Sequence, residues 1–200
     1  MESLRGYVLT FNGEIYNYRE IRRDLEEKGF SFSTNSDAEV LLRAYEVFGK
    51  DCLGKLIGMF AFAIYDPERN ALFMARDRFG KKPIHYFHDK EFFIFASDIN
   101  ALLAADIVRE KAEINPLALS DFLSLGYVLA PKTIYNNICQ LPGAHAAYLA
   151  LDSMHLRIWP YWSLENFVTD DPVTYDQRAR DRFGEILHDA VSLRLRSDVG

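Results

Sequence analysis

The hydrophobic positions along this chain change period several times, and each change marks an element. Tyr7-Val8-Leu9-Thr10-Phe11 is an apolar run that reads as a strand, stopped by Asn12-Gly13, the dipeptide most tolerant of positive φ. Asn17 and Glu20 have capping-box spacing and open a helix that carries Ile21 and Leu25 on one face and stops near Gly29. Phe30 to Ser33 alternates like a short strand. Ser36 and Glu39 repeat the capping box and start a second helix, which turns Val40, Leu41, Ala44, Tyr45 and Phe48 inward and ends at Gly49. Met59 to Tyr65 is almost wholly apolar, the pattern of a strand covered on both faces. A turn at Asp66 to Asn70 returns it as Ala71 to Ala75.

Further on, Ile84 to Phe87 and Phe92 to Ala96 predict a hairpin, and Ser97 caps a helix from Asp98 to Ala104. Asn115-Pro116 is a cap with proline at the first helical position, opening a helix to about Leu125. Ala146 to Leu151 and His155 to Tyr161 read as the last strands. Glu165 to Val173, acidic and with a proline, reads as an exposed linker. Thr174 and Gln177 then form a capping box for a long helix with apolar positions Ala179, Phe183, Ile186, Leu187, Ala190 and Val191. Arg178, Arg180, Arg182, Arg194 and Arg196 mostly mark its solvated side rather than an anion site.

Composition narrows the class. With 200 residues, 49% of them hydrophobic, 15 Phe and 11 Tyr, the chain has ample apolar surface for one large domain or a domain and part of a second. A formal net charge of −6 argues against a general nucleic-acid binder. No apolar run approaches a membrane span, and Met1-Glu2-Ser3-Leu4-Arg5 has no apolar signal core. Cys52 and Cys139 form no spaced pattern, which suits free thiols in a reducing cytoplasm. His85, His88, His145, His155 and His188 share no metal-ligand spacing and read as structural or solvated.

The candidate chemistry lies around Asn12. A strand that ends at an Asn-Gly turn exposes backbone N–H groups and a side-chain amide, which is one way to build an oxyanion hole. Glu14 and Asp37 supply two carboxylates able to hold an ammonium group, with Asp37 in the first turn of its helix, where the dipole favours negative charge. A plain turn with two solvated acids is the alternative. Gly80-Lys81-Lys82 suggests a phosphate loop, but it lacks the multi-glycine framework and the following Ser or Thr. An ion-pair cluster around Arg76-Asp77-Arg78 that fixes a connection accounts for it better.

Five segments fall in one order: Phe11-Asn12-Gly13-Glu14-Ile15-Tyr16-Asn17, Ser36-Asp37-Ala38-Glu39, Gly58 to Asp66, Ala75-Arg76-Asp77-Arg78-Phe79-Gly80-Lys81-Lys82-Pro83 and Phe95-Ala96-Ser97. Together they resemble the glutaminase domain of glutamine-dependent asparagine synthetases, class II amidotransferases with the N-terminal-nucleophile hydrolase fold. The resemblance implies an α+β fold, an incomplete four-layer αββα sandwich over residues 1–164. A linker at 165–173 and the first helix of an α-rich synthetase domain at 174–200 would follow. It implies that Asn12 and Gly13 form the oxyanion hole, and that Gly13, Glu14 and Asp37 bind the glutamine. Two positions depart from the family, which usually has Glu for Asp98 and Lys for Asn100.

In such a glutaminase a terminal cysteine attacks the amide, with its own α-amine as base. This chain begins Met1-Glu2, without the family's Cys-Gly-Ile start, Arg-Gly-Pro loop or His-Arg-Leu segment. Ser3, taken as in line with the first strand, would lie roughly 30 Å from Asn12. The chain ends at Gly200, just after Ser197-Asp198-Val199 and before a Ser-Gly-Gly pyrophosphate loop. The expectation is a member truncated at both ends, with no cofactor of its own and with ATP and Mg serving the full-length protein. Its expected partners are glutamine and the missing synthetase domain, a homodimer is permitted, and its expected location is the cytoplasm. The function implied is glutamine hydrolysis to ammonia for ATP-dependent amidation of aspartate or a related acid. The alternative is a catalytically dead remnant that binds glutamine or a partner. A phosphoribosyl-pyrophosphate-type amidotransferase fits less well, because the terminal helix and Ser-Asp-Val point to a synthetase.

Overall fold

The first strand, β1 (Val8–Ile15), is the edge of a five-stranded antiparallel sheet in the computed structural model, which describes residues 1–168 and 174–195. Its neighbours in order are β2 (Gly58–Asp66), β3 (Ala71–Arg76), β7 (His145–Ala150) and β8 (His155–Pro160). A second, three-stranded sheet has β4 (His85–His88) between β5 (Phe93–Ala96) and β6 (Ile138–Gln140). The described residues also form six α-helices: α1 (Tyr18–Glu26), α2 (Asp37–Phe48), α3 (Ile99–Leu103), α4 (Asp106–Lys111), α5 (Pro116–Leu125) and α6 (Gln177–Arg194).

Strand alternation sorts the apolar residues into three cores, and these define four layers. Leu9, Ile15, Phe60, Phe62, Ile64 and Phe73 face α1 and α2, meeting Ile21, Leu25, Val40, Leu41 and Tyr45. Tyr45 stacks on Phe73 with ring centroids 4.9 Å apart. The opposite face of the same strands carries Ala61, Ala63, Met74 and Ala147, which pack on Ile84 and Leu141 between the sheets. Three of these four are alanines, which take up little room between the sheets. Behind the second sheet, Phe87 and Ile138 meet Leu102 and Val108 of α3 and α4. The order helix, sheet, sheet, helix is the αββα sandwich expected, and β2 is apolar from Met59 to Ile64 because both of its faces are covered.

Several local expectations give way to tertiary partners. No strand forms at Phe30 to Ser33, because Glu39 takes Ser33 N–H at 2.8 Å, Thr34 N–H at 2.6 Å and the Thr34 hydroxyl at 2.6 Å. Burial raises the Glu39 pKa, but these bonds outweigh it and hold the carboxyl below its ordinary range. Glu39 therefore does not close a capping box, and Ser36 alone caps α2 by accepting from Ala38 N–H. Asn17 makes no cap either; it bridges Lys55 O and Ile57 N–H. Asp98, not Ser97, caps α3, and Asp176, not Thr174, caps α6. A 3-10 turn, Leu164–Phe167, runs into the stretch expected to be a linker, and its Phe167 stacks on Trp162. The rest of the linker, at 169–173, and Ser197-Asp198-Val199 lie outside the described residues.

The cap of α5 is as expected. Asn115 Oδ1 accepts from Leu117 N–H at 3.0 Å and Ala118 N–H at 3.2 Å, Pro116 occupies the first turn, and Gly126 closes the helix in the left-handed region at φ 81°. Asn115→Ala is expected to cost about 1 kcal/mol, read as a lower urea midpoint with an unchanged slope. An unmoved midpoint would show that the cap carries no stability.

Candidate functional site

The site is built on the exposed edge of β1. Asn12-Gly13 is not a turn, because the strand runs through it to Ile15, with Asn12 opposite Ala61, Gly13 opposite Phe60 and Glu14 opposite Met59. What makes glycine necessary is close approach. A Cβ on Gly13, at φ 153°, would lie 2.2 Å from Met59 O and 2.7 Å from Phe60 Cα.

The register decides where the polar groups of β1 point. Phe60 spends its carbonyl on Asp77 N–H at 2.8 Å and its N–H on Asp77 Oδ2 at 3.2 Å, both away from β1. Gly13 and Phe60 are thus a non-hydrogen-bonded pair, and the Gly13 N–H faces the open sheet edge. Tyr16 N–H reaches inward to Ile57 O, whereas Ile15 N–H points outward, to Asp37 Oδ2 at 2.9 Å. Asp37, in the first turn of α2, therefore stands on the same open edge as the Gly13 N–H. Glu14 is half-buried, and among the described residues no group donates to its carboxylate. Asp37 thus meets β1 at Ile15, beside Gly13 and Glu14 in the chain, while strand alternation gives the Glu14 side chain the same face as Asn12.

Asn12 turns to the other face of β1, between the sheets. Its Nδ2 donates to Ser97 Oγ at 3.1 Å beside a cavity of about 190 Å³ lined by Thr10, Pro83, Phe95 and Ser97. Ser97, read from sequence as a helix cap, is released from that role by Asp98. No periodicity or spacing could have found it, because its partner is 85 residues away.

Asp77 anchors the opposite side of the site. It is 2% exposed and accepts from Phe60, Phe79, Lys81 and Lys82 N–H groups. Arg76 donates to the carbonyls of Lys82 and Gly80 at 2.7 and 2.6 Å and of Leu141 at 2.7 Å, and Arg78 donates to Leu56 O. The expected ion-pair cluster is therefore a set of charged side chains satisfying backbone, with no ion pair among Arg76, Asp77 and Arg78. The Lys81 and Lys82 N–H groups are spent on Asp77, so this segment does not fit a nucleotide phosphate.

The remaining nucleophile candidates lie elsewhere. Ser3 is not in line with β1: residues 1–3 fold back beside it, with Ser3 N–H bonded to Tyr7 O and Met1 paired to Leu9. That shortens the separation from Asn12 from ~30 Å to roughly 17 Å of strand, still beyond a shared oxyanion. Burial pushes the Cys52 thiol up to about 12, and it raises Cys139 as well. No group of three or more His, Cys, Asp or Glu that could hold a metal occurs among the described residues. No helix among them is long and apolar enough to cross a membrane.

Two packed antiparallel sheets between helical layers, with one open strand edge at β1, form the αββα sandwich of the N-terminal-nucleophile hydrolase fold. The sequence model described as a glutamine amidotransferase domain matches residues 1–162, and this chain belongs to that family. The chain is 38% identical over 194 residues to asparagine synthetase [glutamine-hydrolyzing] 3 of Bacillus subtilis, covering 96% of this chain and 30% of that protein. Asparagine synthetase [glutamine-hydrolyzing] 1 of the same organism is 35% identical over 195 residues, with 96% and 29% covered. The chain thus spans about 30% of the length of these relatives. The solved glutamine phosphoribosylpyrophosphate amidotransferase of B. subtilis shares the fold, with a TM-score of 0.53 at 21% identity, over 78% of this chain and 30% of that one.

Proposed function

We propose that the edge of β1 is the glutamine site of a glutaminase. In the full-length protein, residues 174–200 would begin a synthetase domain that uses the ammonia for ATP-dependent amidation of aspartate or a related acid. The observation that carries the reading is the shared open edge: the Gly13 N–H and the Asp37 carboxylate stand on it side by side, linked through Ile15 N–H. Asp37 and Glu14 bind the α-ammonium of glutamine, whose positive charge the two carboxylates neutralise. Asn12 Nδ2 and Gly13 N–H receive the oxygen of the amide as it gains negative charge. Stabilisation by such donors acts on the transition state, because the ground-state carbonyl carries less charge.

A second reading, glutamine binding without turnover, draws on the two cysteines. Both thiols are held protonated by burial, and neither lines the cavity beside Asn12. Calorimetric titration with glutamine tests what the two readings share. Asp37→Asn keeps an acceptor for Ile15 N–H but removes the charge, so glutamine affinity is expected to fall at least about tenfold with little change in melting. Unchanged affinity, or no heat with the parent chain, would sink the site. Ammonia release then separates turnover from binding alone.

A further inference from the structure

Asn12 Nδ2 carries two protons, and among the described residues only one is committed. It goes to Ser97 Oγ at 3.1 Å, which sets the plane of the carboxamide and leaves the second proton for a ligand. Ser97 is itself held. Its carbonyl oxygen lies 3.1 Å from His85 Nδ1, and His85 Nε2 lies 3.2 Å from Gln140 Nε2.

The chemistry of these partners assigns the protons. A carbonyl oxygen only accepts, so Nδ1 carries hydrogen; an amide NH₂ only donates, so Nε2 is bare. His85 is a neutral imidazole fixed at both nitrogens. Burial is the main cause that lowers its pKa, with Arg76 acting in the same direction, and the Ser97 carbonyl and Asp98 acting against. The β-register holds the ring in place, since His85 pairs with Ala96 on one side and Gln140 on the other. The series Gln140, His85, Ser97, Asn12 thus runs from the second sheet across to β1 of the first.

We propose that His85 is a positioning residue for the Asn12 amide, acting through Ser97 to hold one amide proton back and aim the other at the substrate oxygen. The proposal rests on the glutaminase reading for its catalytic meaning. Its geometry is tested without glutamine, so the two can fail separately. An amide free to rotate would have to be ordered when charge develops, whereas one already fixed acts without that cost.

The test follows the Asn12 side-chain amide by NMR in the ¹⁵N-labelled chain. In His85→Leu the Asn12 Nδ2 protons are expected to exchange with solvent about tenfold faster, the factor for one lost hydrogen bond. His85→Asn, whose Nδ2 stands in for the imidazole Nδ1, is expected to restore the parent exchange rate to within about twofold. A folded His85→Leu with the parent Asn12 shifts and exchange would overturn the proposal. Should that variant not fold, Ser97→Ala removes the acceptor itself, and an unchanged Asn12 signal there overturns it equally. Glutamine titration by calorimetry reads the glutaminase proposal independently of these signals.

Discussion

Asp77→Ala is expected to destabilise the chain by about 4 kcal/mol and lower its melting temperature by roughly 10 °C. Four backbone N–H groups, of Phe60, Phe79, Lys81 and Lys82, converge on this one buried carboxylate. Each unsatisfied buried donor costs about 1–3 kcal/mol, and water entering the truncated site recovers part of that. The loss is not only structural. Phe60 is the partner of Gly13, and Asp77 keeps its polar groups turned from β1. Without Asp77, the Phe60 N–H is freed and the geometry beside Gly13 loosens. Glutamine affinity should therefore fall along with stability. Asp77→Asn gives a graded comparison: it keeps one acceptor oxygen, so its loss should be about half as large. A melting temperature within 2 °C of the parent in Asp77→Ala, read by scanning calorimetry, would rule out this account.

How much of this the sequence revealed depends on whether each device is local. The Asn115-Pro116 cap and the two-sided burial of β2 are written in neighbouring residues, and both elements form where expected. Glu14 and Asp37 stand out in the sequence because they fall within short ordered motifs, and Asp37 reaches β1 through the Ile15 N–H. Where residues far apart in sequence compete for the same group, local spacing misleads. Asn17 has capping-box spacing, yet its side chain serves Ile57 and Lys55, about forty positions on. Ser97 looks like a cap and instead receives Asn12. His85 has no signature at all, because its partners are a backbone carbonyl and a glutamine on a neighbouring strand. The alternating charges of Arg76-Asp77-Arg78 suggested ion pairs, whereas each side chain satisfies backbone groups instead.

The apolar stripe on α6 is legible as a stripe, but its partner is not within the described chain. Phe183 is 67% exposed, and Ile186, Leu187 and Val191 are exposed as well. Periodicity reports that a helix has a face to bury; it carries no information about what buries it.

Gly13→Ala is the substitution expected to damage the site most directly. The added Cβ would meet Met59 O at 2.2 Å and Phe60 Cα at 2.7 Å, and both obstacles are backbone atoms that no rotamer change can move. The position at φ 153° is one that side-chain-bearing residues rarely adopt. Two residues along, Gly58 is equally confined, since a Cβ there would lie 2.2 Å from Glu14 O. The end of β1 is thus locked between two glycines on facing strands, and an added methyl must part them. About 4 kcal/mol or more is expected to be lost, near the upper limit for a single substitution. The effect should be local first. Amide exchange at Glu14, paired with Met59 of β2, and at Tyr16, whose N–H bonds to Ile57 O just before β2, should accelerate more than exchange in β3 or β7. Asp37 would lose the Ile15 N–H that fixes it, and glutamine binding would go with it. Unchanged exchange at Tyr16 with parent-like melting would mean that β1 and β2 can separate by an ångström at little cost, and the tight pairing would then not be what holds the site together.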